Sequence, residues 1–211
     1  MKITKYVHSC LVVETPDRTA IFDPGVMSAE ALGPAIAGLS RLDDIFITHV
    51  HPDHCDPALI KQLLTKFPQT RVTGPAEVVA ALAKEDIAAS DQAPEGVVFF
   101  ESPHENGLEL FSSPEEKGFH YLNALSHPGD SHSFQETKAI LSLPVTAGWG
   151  SSARAVSLAL ELKPTHVLPI HDWHWSEEAR QLMYGRFEKI FKEQGITFHK
   201  LQTGQPVDIP A

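Results

Sequence analysis

The sequence predicts a mixed α/β fold in which sheets are covered on the outside by helices. Three observations predict it. The N-terminal segment holds several short strand-like runs before any clear helix. After it, apolar runs of strand length alternate with helical segments. Residues able to bind a metal then fall directly after four of the expected strands, and in α/β sheets binding sites collect beyond the carboxyl ends of strands.

The elements follow in order. Residues 2–7, 10–15 and 19–23 read as three strands, with Pro16-Asp17 as the turn between the second and third, and Asp23-Pro24-Gly25 closing the third. Residues 28–39 are a small segment containing Ala and Gly, with an ambiguous helical pattern. Ile45-Phe46-Ile47 is a buried strand, and Asp56-Pro57 is an N-cap and first position for a helix reaching Phe67. A strand at 71–73 and a helix at 76–85, with Pro75 as its first position, come next. Strands are expected at 97–102, 108–112, 119–125 and 138–144. A helix at 152–162 stops at Lys163-Pro164, and a strand runs from His166 to Ile170. The long helix 176–194 presents Leu182, Phe187, Ile190 and Phe191 as its apolar residues and ends at Gly195, before a last strand at 197–201.

No internal repeat, low-complexity tract or long linker divides the 211 residues, so one domain over 1–211 is expected. A net charge of -10 disfavours nucleic acid and anionic membrane as partners. The start, MKITKYVHSC, lacks the apolar core of a signal peptide, and no apolar run is long enough to span a bilayer. Cys10 and Cys55 do not make a disulfide framework. A cytoplasmic protein with a small-molecule substrate is the expectation; oligomeric state is not legible.

The chemistry concentrates in IFITHVHPDHCD, residues 45–56. His49, His51, Asp53 and His54 place four metal-competent side chains in six residues. Imidazole and carboxylate are ligands that suit zinc and similar divalent ions. Pro52 cannot continue an inner strand, so these side chains lie on a turn, where neighbours can face two points. His104, Asp130 and His171 each follow another expected strand, which favours convergence on one site.

On these residues the chain resembles the metallo-β-lactamase superfamily of metal-dependent hydrolases. THVHPDHCD matches the HxHxDH signature, and His104, Gly129-Asp130-Ser131 and His171 follow in the family's order. The flanks, His8-Ser9, Phe22-Asp23-Pro24 and Pro169-Ile170-His171, look most like its ascorbate-6-phosphate-lactonase-like branch. The resemblance implies a four-layer αββα sandwich and two divalent metal ions, zinc first, with manganese or iron also suited. It assigns His49, His51 and His104 to the first ion and Asp53, His54 and His171 to the second, with Asp130 bridging them. Two ions so bridged sit about 3.5–4 Å apart. The implied reaction is attack by a metal-bound hydroxide on a small ester, lactone or phosphodiester, with Asp53 or a nearby histidine moving the proton. Among His127, His132 and His174, His174 is the chosen proton carrier.

His8 either contacts substrate or makes a structural hydrogen bond, and Asp23 accepts hydrogen bonds from a ligating histidine or from the loop. Trp149, Trp173 and Trp175 are candidates for pocket wall or for core, and His120, His166 and His199 are expected to be structural. Pro114-Glu115-Glu116-Lys117 is no obvious substrate-binding element, and Lys and Arg are too scattered to make a phosphate site. The alternatives to a small-molecule hydrolase are a phosphodiesterase or nuclease of the same fold and a non-catalytic metal-binding protein.

Overall fold

The computed structural model of the chain describes residues 1–105 and 113–210. The strand expected at 108–112 lies outside the described residues. Strands β1 (Lys2–Lys5), β2 (Leu11–Glu14) and β3 (Thr19–Phe22) precede α1 (Ala29–Ile36), β4 (Asp44–Phe46), α2 (Pro57–Lys66), β5 (Arg71–Thr73) and α3 (Ala76–Ala83). The second half holds β6 (Val97–Glu101), β7 (Lys117–Tyr121), β8 (Leu125–His127), β9 (Ile140–Pro144), α4 (Ser152–Leu162) and β10 (His166–Ile170). It closes with α5 (Glu177–Glu193), β11 (Thr197–Phe198) and β12 (Pro206–Asp208).

These strands form two mixed six-stranded sheets, ordered β12-β1-β2-β3-β4-β5 and β11-β10-β9-β8-β7-β6. In the first, β1, β2 and β3 pair antiparallel, and β3, β4 and β5 pair parallel. In the second, β6, β7 and β8 are antiparallel, and β8 to β11 are parallel.

Side-chain alternation along the strands builds three cores and therefore four layers. Leu11, Val13, Ala20, Phe22 and Phe46 face Phe119, Tyr121, Leu125, Ile140 and Leu168 between the sheets. Val12, Ile21, Ile45 and Ile47 point the other way, against Leu32, Leu59, Ile60, Leu63 and Val78 of α1, α2 and α3. Leu141, Leu143 and Val167 face α4 and α5 through Leu158, Tyr184, Phe187 and Phe191. Among the described residues, no helix is long and apolar enough to cross a membrane.

Four expectations need correction. Residues 119–125 are not one strand but parts of β7 and β8, joined by a turn in which Leu122 and Asn123 both take positive φ (49° and 53°). Positive φ at both central residues matches the right-handed twist of a hairpin. The edge strand β12 was not foreseen; it forms only by pairing with β1, at Ile3↔Val207. On α5 the buried stripe is Tyr184, Phe187 and Phe191, whereas Leu182 is 58% and Ile190 39% exposed. Leu182 lies about 140° round the helix from Phe187 at 3.6 residues per turn. Pro75 precedes α3 in extended conformation and Ala76 is its first residue.

Phe46 is fully buried and meets Phe22, Phe119 and Tyr121 with ring centroids 5.1–5.8 Å away. Phe46→Ala is expected to cost about 3–5 kcal/mol of folding free energy, read as a lower denaturant midpoint with an unchanged slope. A shift smaller than about 1 kcal/mol would place Phe46 outside the shared core.

Candidate metal centre

The ligand-dense turn is shaped by its neighbours. The Asp56 side chain accepts the Ala58 N–H at 3.0 Å and caps α2, with Pro57 as its first residue. The N–H groups of His54 and Cys55 both donate to the His51 carbonyl at 2.9 Å, coiling residues 51–55 into a tight turn. The Pro24-Gly25 loop braces that turn: Val26 N–H donates to Pro52 O and Asp56 N–H to Pro24 O. A Cβ at Gly25 would stand 1.8 Å from the Asp53 carbonyl oxygen, so only glycine permits this approach.

All seven expected ligands are brought together, with His8 added to them. His49, His51 and His104 offer donor atoms within 4.8 Å of one another, and so do His8, Asp53, His54 and His171. His49, His54 and Asp130 form a third set that joins the two. The Asp130 carboxylate reaches His54 Nε2 at 3.1 Å, His171 Nε2 at 3.0 Å and His104 Nε2 at 3.8 Å. These His/Asp clusters are consistent with metal binding. Donor chemistry supports the fit: His54 Nε2, Asp130 Oδ1 and both ring nitrogens of His8 are buried and make no aligned hydrogen bond, although His54 Nε2 and His8 Nε2 each stand 3.1 Å from a carboxylate oxygen.

The remaining imidazole nitrogens are held from behind. His54 Nδ1 donates to Asp23 Oδ2 at 2.8 Å. His104 Nδ1 lies 2.8 Å from Glu105 O, and His171 Nδ1 lies 2.9 Å from Thr146 O. His49 Nδ1 is 3.1 Å from Thr48 Oγ1, whose hydroxyl donates to Asp23. In all four rings Nδ1 is taken by an outer acceptor and Nε2 is left facing inward, the arrangement that orients ligating histidines. Asp23 also accepts the Thr48 N–H at 2.8 Å, so its expected supporting role stands in the geometry.

Burial works against the charged form of His54, but Asp130 and Asp23 outweigh it and hold its pKa well above the usual imidazole value. Burial likewise opposes charge on Asp130, and His54 and His171 hold its carboxyl well below the carboxylate range. Asp53 is lowered too: burial is overcome by the close approach of His8, whose Nε2 stands 3.1 Å from Oδ2, and by the charge of His54. His8, in the turn between β1 and β2, and Asp23 and His171, directly after β3 and β10, all take positive φ (66°, 45° and 63°). Three non-glycine residues in this sparsely allowed region, all at one site, mark a backbone held by its surroundings. The His171 turn is tied down by Asp172, which is buried and bonded to Lys5, Tyr184 and Arg180.

Sequence reasoning missed Glu116. Its side chain is fully buried, accepts the Asp130 N–H at 2.7 Å and lies 3.6 Å from His49 Nδ1. Burial and then the Asp130 charge push its carboxyl well above its ordinary pKa. Pro114-Glu115-Glu116-Lys117 looks like a solvated loop, and nothing local marks the second glutamate as buried. Gly129 is required here, with φ 68° and no room for a Cβ, which would meet Glu116 Oε1 at 2.2 Å.

A pocket of about 360 Å³ opens over the clusters. Trp149 walls it and donates from Nε1 to Asp130 Oδ2 at 3.2 Å, a contact the sequence did not announce. Trp173 stands at its rim, whereas Trp175 packs on Phe187 in the outer core. His174 lies on the exposed lip, 3.5 Å from the Thr146 hydroxyl. His127 and His132 are bonded inward, to Ser9 O and Pro144 O. Cys55 and Cys10 sit in the core beneath α1 and α2, where burial pushes both thiols up to about 12. His120 bonds Ser126, and His166 bonds His199, as structural groups.

The family described as the beta-lactamase superfamily domain matches residues 2–171. Protein Rv0786c of Mycobacterium tuberculosis is 28% identical, over 94% of this chain and 100% of that protein. The fold resembles that of Igni18, a metallo hydrolase from the archaeon Ignicoccus hospitalis, with a TM-score of 0.73 and 16% identity, covering 98% of this chain and 97% of that one. The metallo-beta-lactamase fold protein YhfI of Bacillus subtilis gives a TM-score of 0.69 at 16% identity, with 98% of each chain covered. These likenesses show the metallo-β-lactamase fold.

Burial of imidazoles is expected to make the stability of metal-free protein pH-dependent. Burial lowers the pKa of nine histidines, His8 to about 4 and also His49, His104, His120, His127, His132, His166, His174 and His199. A histidine depressed on folding takes its proton more readily in the unfolded chain, so stability drains away as pH falls below about 6.5. His54 and Glu116, both raised, act the other way but are outnumbered. Denaturant midpoints of metal-free protein are expected to fall steadily from about pH 6.5 to about pH 4. A flat profile would mean that these rings are protonated equally in both states.

Proposed function

The chain belongs to the beta-lactamase superfamily domain family, and from that membership we propose that it is a binuclear metal-dependent hydrolase of a small ester or lactone. The observation that carries this reading is the Asp130 carboxylate, which stands between two separate histidine clusters with Nε2 atoms of three rings turned toward it. One ion would be held by His49, His51 and His104, the other by Asp53, His54 and His171, with Asp130 shared. When bound, such ions supply Lewis acidity and make water a nucleophile at neutral pH. Zinc is the first candidate, and manganese and iron also suit the donors.

The chain's own residues do the rest. Asp23, Thr48, Thr146 and the Glu105 carbonyl hold the imidazoles in one orientation, so little reorganisation accompanies reaction. Glu116 fixes Asp130 through its backbone N–H. Trp149 and Trp173 offer apolar walls that orient a substrate and exclude water. His174, on the lip, carries the proton to the leaving group; Asp53, at the pocket floor, is the second candidate.

The sequence resemblance to the ascorbate-6-phosphate-lactonase-like branch supports lactones as the first substrates to try. Among the described residues lining the pocket there is no Lys or Arg. That lining favours a neutral ester over nucleic acid, for which cationic contacts supply most of the affinity.

Two variants test the reading on protein reconstituted with zinc, manganese or iron. Asp130→Ala is expected to lose at least one ion per chain by elemental mass spectrometry and nearly all turnover on a lactone and ester panel. Full metal content with full turnover would remove Asp130 from its bridging role. His174→Ala is expected to keep both ions while kcat falls about 10²–10⁴-fold. Unchanged kcat would hand the proton transfer to Asp53.

A further inference from the structure

We propose that His8 is a direct ligand of the second metal ion, giving that site five protein donors instead of four. The inference rests on the binuclear reading above and adds a residue that the HxHxDH resemblance does not assign. His8 is 1% exposed, and neither ring nitrogen has a hydrogen-bond partner. A buried imidazole with two unpaired nitrogens is costly. The ring nonetheless points into the cluster: Nε2 lies 3.1 Å from Asp53 Oδ2, and a His8 donor atom is within 4.8 Å of those of Asp53, His54 and His171. The ring centroid is 3.9 Å from that of His171 and 5.1 Å from that of His54.

The backbone is committed to this placement. His8 takes φ 66°, a sparsely populated region for a non-glycine residue, in the turn between β1 and β2. Its carbonyl accepts the His171 N–H at 3.3 Å, so the two residues are positioned as a unit across the two sheets. Ligation would satisfy one of the two orphaned nitrogens and turn an otherwise unfavourable burial into a functional one.

The donor count has a chemical consequence. Catalytic zinc sites hold the ion with three protein ligands and an open position. His8, Asp53, His54 and His171 lie within 4.8 Å of one another, and the Asp130 carboxylate stands 3.0–3.1 Å from His54 and His171, so the five together would offer a mixed nitrogen and oxygen set that one water would complete to six. Such a set suits manganese or iron(II) better than tetrahedral zinc. The second site is therefore the one where His8 tilts preference toward six-coordinate ions.

The experiment uses full-length wild type, His8→Ala and His8→Asn. Asn tolerates positive φ and keeps a polar side chain at the position, but is a poor metal ligand. Denaturant midpoints of the metal-free proteins check folding. Stepwise affinities for Mn²⁺ and Zn²⁺ are measured by chelator competition, and the sites are also filled with Co²⁺ and followed by visible absorption. In both variants one of the two ions is expected to bind at least about tenfold more weakly. Mn²⁺ should lose more than Zn²⁺, and the Co²⁺ spectrum of that ion should change. Wild-type affinities and spectra in both variants would overturn the proposal, as would recovery of binding in His8→Asn alone, which would mean that a polar side chain suffices there without ligation. Wild type that binds fewer than two ions would instead overturn the binuclear reading, and His8 ligation with it.

Discussion

The site depends on one buried carboxylate, Asp23. Its two oxygens accept the Thr48 N–H, the Thr48 hydroxyl and His54 Nδ1. Through Thr48 it also fixes His49, so a single side chain from the end of β3 sets two inward-facing imidazoles on the neighbouring turn. Asp23 is fully buried, and these three hydrogen bonds satisfy its oxygens in place of water. The positive φ at Asp23 and the bare Cα of Gly25 let the chain pass close enough under the HPDH turn for those bonds to form.

The four-layer packing then does what no single strand can. Phe22, Phe46 and Phe119 press the two sheets together, which brings the ends of β1, β3 and β4 in one sheet to the end of β10 in the other. His8 and His171 are bonded directly across that junction. The cost of gathering so many imidazoles is visible in their depressed pKa values and in the unpaired buried nitrogens. Such an assembly is poor at stabilising a protein by itself and suited to holding cations.

Much of this was readable locally. Asp56-Pro57 announced α2, Lys163-Pro164 announced the end of α4, and Pro16-Asp17 announced the turn between β2 and β3. The helix α5 was legible as a helix, yet its buried face was not: Leu182 and Ile190 are as apolar as the residues it buries. Only contact with β10 and β11 selects Tyr184, Phe187 and Phe191. The turn at Leu122-Asn123 was hidden because the residues on either side of it carry on as strand.

The sequence by itself determined most of the elements, the HxHxDH turn and the seven ligand candidates. Each of those follows from side-chain chemistry and backbone preference within a few residues. Tertiary structure alone decided that Glu116 is buried beneath Asp130, that Trp149 donates to the same carboxylate and that His8 enters the second cluster. It also decided that β12 exists, since two or three residues make a strand only against a partner. Such facts join residues far apart in the chain, and the physical cause is packing of one sheet on the other, for which no short stretch of sequence carries a signal.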